Sequence, residues 1–158
     1  MIRSIFLKKS LNIIYFPIAI MVVIIISSYQ LLAVPEVDFN TTKLTINQQI
    51  YTLEIAKSQD QRQKGLMFRT ALGSKNGMIF IYSNSADHRI WMKNTLIKLT
   101  VLWVNEDGSV LGIKKPEPCQ RDPCEVYGLN QPSKYIIELN HDVHGIKIGD
   151  KILGLNQL

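Results

Sequence analysis

From residue 43 onward, apolar and polar positions alternate in short runs. Residues 43–46 (KLTI) and 50–55 (IYTLEI) place every second side chain on one face, with Asn47-Gln48-Gln49 between them as a turn. Residues 77–82 (GMIFIY), 100–104 (TVLWV), 109–114 (SVLGIK), 134–139 (KYIIEL) and 151–155 (KILGL) read as further strands. Asp107-Gly108 is the strong hairpin signal before SVLGIK, and Ile148-Gly149-Asp150 is a turn before the last strand. Residues 83–88 (SNSADH) read as a loop, and RIWMKN at 89–94 as a second, less regular strand.

One stretch breaks the period of two. Ser58 stands three residues before Gln61, the spacing of a capping box, and Gly65 supplies a stop. That predicts a helix of about two turns, too short to persist unless packed, with Leu66, Met67 and Phe68 as its contacts. Residues 116–132, from proline to proline, form a long irregular loop. The pattern predicts a mainly β protein: a single β-sandwich or barrel-like domain over residues 43–158, with one or two short helices.

The beginning of the chain differs. Leu11 to Ala33 is a run of 23 residues broken only by a few polar positions, about what crosses a bilayer core of roughly 30 Å. Arg3, Lys8 and Lys9 lie in the basic flank, residues 1–10. This is the layout of a signal-anchor or signal peptide, with the basic end cytoplasmic and the rest exported. Ala33 and Ser28 make poor cleavage sites, because large residues, Leu31 and Ile26, stand two positions before them. The reading is therefore a single-pass cell-membrane protein with an N-terminal apolar helix and an exported C-terminal domain, secreted if the segment is cut. Residues 34–42 form a linker.

The charge follows from the same flank. The net charge is +5, but no acid precedes residue 36, and the 15 basic residues beyond it face 13 acids, a net of +2. The charges are scattered rather than striped, which argues against a nucleic-acid partner. Apolar residues make up 46% of the chain, enough for an ordinary core. Cys119 and Cys124, in PCQRDPC, read as a disulfide in an exported domain. A redox pair and a metal site are alternatives, though neither has the usual spacing or further ligands.

The motifs then take on an order. GLMFR at 65–69, GMIF at 77–80, WMKNT at 91–95, the Asp107-Gly108 hairpin, the paired cysteines with Tyr127, YIIEL at 135–139 and GIKIGDKI at 145–152 follow one another. In this the chain resembles the family called domain of unknown function 192, from about residue 43 to 155. The resemblance implies a small β-sandwich domain, commonly exported or membrane-tethered in bacteria and archaea, with no generally established activity. Asn140-His141-Asp142-Val143-His144 departs from the small or glycine residue usual after the Glu-Leu strand.

Candidate chemistry concentrates in RIWMKNTLIKL. If residues 89–94 are extended, Arg89, Trp91 and Lys93 share one face and Ile90, Met92 and Asn94 the other. An aromatic plate beside cations suits an anionic or hydroxyl-rich ligand. Lys93 brings three donors, Asn94 and Thr95 donate and accept, and Arg69 adds a planar fork for carboxylate or phosphate. The alternative is a scaffold role. Trp91 and Met92 would then fill core, Lys93 would reach past Trp91 to water, Asn94 would bond the backbone, and Arg69 would pair with a buried acid such as Glu138.

No nucleophile elbow, zinc-protease helix, P-loop or dinucleotide fingerprint is present. Glu54, Asp60 and Glu138 are candidate carboxylates without a paired spacing, and Lys93 is a conceivable base. His141, His144 and Asp142, or His88 with Asp87, are fragments of a metal set, and neither a metal nor a cofactor is expected. The leading expectation is a non-enzymatic module binding a polar or anionic small molecule or glycan through Arg69, Trp91, Lys93, Asn94 and Thr95. A structural or protein-interaction domain comes second, and a hydrolase or thiol-redox enzyme third.

Overall fold

The computed structural model describes residues 18–24 and 37–158. Residues 18–24 are helical and exposed. The remainder of the apolar run at 11–33, and with it the expected membrane-spanning helix, lies outside the described residues. Among the described residues no helix is long and apolar enough to cross a membrane. Val37–Leu158 is a compact unit of its own.

Nine strands follow in chain order: β1 (Thr41–Ile46), β2 (Gln49–Ala56), β3 (Asn76–Ala86), β4 (Ile90–Trp91), β5 (Leu99–Val104), β6 (Val110–Lys114), β7 (Val126–Tyr127), β8 (Ser133–Asn140) and β9 (Ile152–Leu153). Helix α1 (Gln59–Lys64) separates β2 from β3, and a 3-10 turn (Leu155–Gln157) follows β9. Seven strands form one curled sheet in the order β6-β5-β8-β3-β2-β1-β9, and β4 pairs with β7 in a separate ribbon. Backbone bridging between Ser109 and Lys151 draws the two edges of the sheet together. The protein is thus mainly β, with a half-barrel as its frame.

Local sequence explains several joints. Asn47 and Gln48 both take positive φ, which gives the two-residue turn that closes the β1–β2 hairpin at Ile46 and Gln49. Ser58 and Gln61 form the capping box reciprocally: the Gln61 N–H donates to Ser58 Oγ at 3.1 Å, and the Ser58 N–H donates to Gln61 Oε1 at 3.0 Å. Gly65, at φ 46°, ends α1. The helix has six residues and none is buried, so it sits on the surface as a clasp.

Two features depart from the sequence-based expectations. Strand β3 runs on through 83–86, where the composition predicts a loop, because Ala86 pairs with Ser133 beyond a register shift after Ile81. RIWMKN supplies only a two-residue strand, Ile90–Trp91, because Asn94 takes the left-handed conformation at φ 55° and the extended run cannot continue through it.

Strands β2 and β3 are parallel, unlike every other pair in the sheet. A parallel neighbour requires a crossover rather than a hairpin. That crossover carries α1 and GLMFR across one face of the sheet. Leu66, Ile90 and Met92 there cover Met78, Phe80, Val101, Trp103 and Ile136. The opposite face, enclosed by the curl, holds Leu44, Ile46, Leu53, Ile79, Leu102, Ile137 and Leu139. The sheet therefore has a core on each side.

Candidate functional site

The WMKNT block works first as a backbone junction. The Phe68 N–H donates to the Asn94 carbonyl at 2.8 Å, and the Asn94 N–H donates to the Cys119 carbonyl at 2.8 Å. The Cys119 and Thr95 N–H groups both donate to the Met92 carbonyl, at 3.1 and 3.0 Å. Three motifs distant in sequence, GLMFR, WMKNT and the cysteine loop, are thereby tied at one point. Phe68 shares the left-handed conformation of Asn94, at φ 64°. Neither residue is glycine, so the junction holds mildly strained backbone in place through the Phe68-to-Asn94 and Asn94-to-Cys119 hydrogen bonds.

Beside this junction lies a cleft of about 80 Å³. Its walls come from α1 and the turn after it (Arg62, Gly65, Met67), from β3 (Phe80, Tyr82) and from the block (Trp91, Lys93, Thr95), and β8 adds Glu138. Trp91 is 47% exposed. The Lys93 ammonium lies 5.3 Å from the Trp91 ring centroid and donates to Asp122 Oδ2 at 2.7 Å. Asp122 sits inside the loop closed by the Cys119–Cys124 disulfide, which the structure contains. Arg62 lies over Tyr82, 5.2 Å from the ring centroid, and donates to the carbonyls of Lys57 and Ile81. Tyr82 stacks on His88 at 3.6 Å, and burial pushes its phenol up to about 12.

Three of the five expected ligand residues, Trp91, Lys93 and Thr95, line this cleft. Trp91 and Lys93 share one side, as the alternation predicts. Arg69 and Asn94 are not among the lining residues. Asn94 is used through its backbone. Arg69 does not reach Glu138; it forms a two-pronged ion pair with Glu54, Nη1–Oε1 2.7 Å and Nη2–Oε2 2.5 Å. In register, Glu54 lies opposite Met78, and Met78 opposite Glu138, so both carboxylates stand on one row of the sheet. One has its counter-ion. The other, Glu138, is 5% exposed, and no hydrogen bond or ion pair to its carboxyl occurs among the described residues. Burial alone pushes its carboxyl up to about 8.

The sequence marks Glu138 only as one of three candidate acids. A sharper signal is present, a lone charge inside the apolar strand YIIEL. Arg89 lines the cleft on the face that the alternation gives it with Trp91 and Lys93, whereas Tyr82 carries no signal in the sequence, since only the crossover brings α1 and β3 to the block. His141 lies elsewhere; its carbonyl accepts from Thr100 and Lys115, while its buried Nδ1 has no partner. Among the described residues no three His, Cys, Asp or Glu side chains converge as a metal set would.

Known proteins share this architecture. No curated relative matches the chain. A protein from Sinorhizobium meliloti 1021, described provisionally as a transcription regulator, superposes with a TM-score of 0.68 at 26% identity, covering 76% of this chain and 98% of its own. A protein of unknown function from Novosphingobium aromaticivorans DSM 12444 gives 0.65 at 29% identity, covering 78% and 94%. Residues 42–154 match the family described as Uncharacterized ACR, domain of unknown function 192. The chain belongs to that family.

Proposed function

We propose that Val37–Leu158 is a non-enzymatic binding module for a small polar or anionic ligand, exported and held at the membrane by the segment at 11–33. The observation that supports it is the pairing of Trp91 and Lys93 on one wall of a cleft, an apolar plate with a cation over it. A plate and a cation recognise a ligand that is flat or ring-like on one side and anionic or hydroxylated on the other. The export part rests on the basic flank and apolar run, and a Cys119–Cys124 disulfide suits an oxidising compartment. Acid–base hydrolysis is less well supported, because Glu54 is committed to Arg69 and, among the described carboxylates, only Glu138 lines the cleft. A role on nucleic acid, which the Sinorhizobium protein's description brings to mind, would call for a stripe of phosphate-directed cations. Here Arg69, Arg89, Lys93, Lys98 and Lys151 each stand in an ion pair.

A thermal-shift screen of Val37–Leu158 with acidic and neutral sugars, cell-wall fragments, amino acids, phosphates and divalent metals tests the reading. A ligand at 100 times its Kd stabilises by about 2.7 kcal/mol. The shift should vanish in Lys93→Ala while the variant stays folded. A protein-interaction role is the second reading, favoured by Phe68, Leu96 and Val126, which stand exposed around the same block. It gains if no small molecule shifts the transition.

A further inference from the structure

Glu138 sits at the centre of the sheet, on β8 between β3 and β5. Its side chain lies on the row running from Glu54 through Met78 to Val101. It lines the cleft, yet it is buried to 5% exposure. Several charged or titratable groups stand around that cleft, and most are engaged elsewhere. From α1, Arg62 donates to two carbonyls and lies over Tyr82, and Lys64 lies over the Phe68 ring. From the block, Arg89 holds Asp87 and Asn130, and Lys93 holds Asp122. Tyr82 on β3 stacks on His88. On the same row, Glu54 is occupied by Arg69.

Among the described residues no cation forms an ion pair with the Glu138 carboxyl, and an unpaired carboxylate at this depth is costly. The group keeps its proton to about pH 8 because burial is not offset. A protonated carboxyl carries one O–H donor. No described residue accepts it, although the group faces a cleft open to solvent.

We propose that Glu138 reads the ligand: it donates its O–H to the carboxylate of a small organic acid that enters the cleft carboxylate-first. This rests on the cleft being the binding site. A carboxylate is the best acceptor for that donor, since an O–H···O⁻ bond is roughly twice as strong as a neutral one. Arg62 and Lys64, neither of them in an ion pair among the described residues, add positive charge at the cleft that favours an anion. A cleft of about 80 Å³ admits a head group of a few heavy atoms but not a whole sugar. The rest of the ligand lies outside, where the exposed Trp91 ring offers an apolar face. Glu138 thus selects an acid over its neutral analogue, and only while it remains protonated.

Calorimetry on Val37–Leu158, a compact unit that holds both core clusters of the described residues, tests this with D-glucuronate as probe and D-glucose as its neutral counterpart. Glucuronate should bind at pH 6 and about tenfold more weakly at pH 9, where about a tenth of the sites keep the proton. Glu138→Gln retains an N–H donor, so it should bind glucuronate without that fall, and glucose should bind at least tenfold more weakly throughout. Should the variant fail to fold, carboxyl carbon NMR of the wild type decides: glucuronate must raise the Glu138 titration midpoint. Equal binding of glucuronate at both pH values, or glucose binding as tightly, overturns the role of Glu138 and leaves the cleft as a binding site. Failure of every carboxylate in the panel, while a compound without one binds in a Lys93-dependent manner, likewise overturns this inference alone. Failure of the whole panel overturns both.

Discussion

Replacing Glu138 by glutamine isolates what a lone acid inside a sheet costs. The carboxyl titrates at 4.5 in an unstructured chain and near 8 when folded. Above pH 4.5 the unfolded chain releases its proton while the folded protein keeps it. Stability from this group is therefore complete below 4.5, declines as pH rises, and is lost once pH passes the folded value of about 8. Each tenfold change in an ionisation constant corresponds to about 1.4 kcal/mol, so the full swing is about 5 kcal/mol, of which about 3 is lost by pH 7. That is a large share of the roughly 5–15 kcal/mol typical of a domain. Glutamine has nearly the same shape and does not ionise. Urea unfolding of both forms at pH 5, 7 and 9 should show wild type losing about 4 kcal/mol more than Glu138→Gln over that range. The variant should be the more stable protein at pH 9. Parallel stability curves would mean that the carboxyl is solvated or paired in solution, and burial would not govern its proton.

Other perturbations probe the surrounding frame. Gly77→Ala should cost about 3 kcal/mol or more in chemical unfolding, because a Cβ there would lie 2.2 Å from the Glu138 carbonyl oxygen, on backbone that cannot move aside. Arg69→Ala, Glu54→Ala and the double variant should give a coupling energy of about 1–2 kcal/mol, reflecting a two-pronged but partly exposed pair; zero coupling would mean that the pair does not hold the fold. Cys119→Ser with Cys124→Ser should lower stability by only about 2 kcal/mol, since the closed loop is short. A loss of secondary structure by circular dichroism would contradict this.

Features written in neighbouring residues are legible in the sequence. The Ser58–Gln61 capping box, the Gly65 stop, the Asp107-Gly108 hairpin and most of the strands each depend on a few adjacent side chains, and all recur in the structure. Pairings are not legible. Nothing local says that β2 and β3 run parallel, or that the partner of Arg69 is Glu54 rather than Glu138, because both follow from which strands become neighbours. The alternation in RIWMKN correctly puts Trp91 beside Lys93. It fails at Asn94, where hydrogen bonds to Phe68 and Cys119 from other segments hold the backbone in a left-handed turn. Of the expected ligand residues, Arg69 pairs with Glu54 and Asn94 joins Phe68 and Cys119 through its backbone, and neither is among the residues lining the cleft.

The place of β8 in the sheet has a bearing on how the chain folds. It lies between β3 and β5, which precede it, so the β1–β2–β3 and β5–β6 parts of the sheet stay unjoined until residues 133–140 are available. The β1–β2 and β5–β6 hairpins each join strands adjacent in sequence and need no part of β8 to form. Each exposes an apolar edge that can pair with the wrong partner. Closure then joins segments distant in sequence, a slow kind of contact to form. The last central strand to arrive also carries Glu138, so an incomplete chain has no finished cleft.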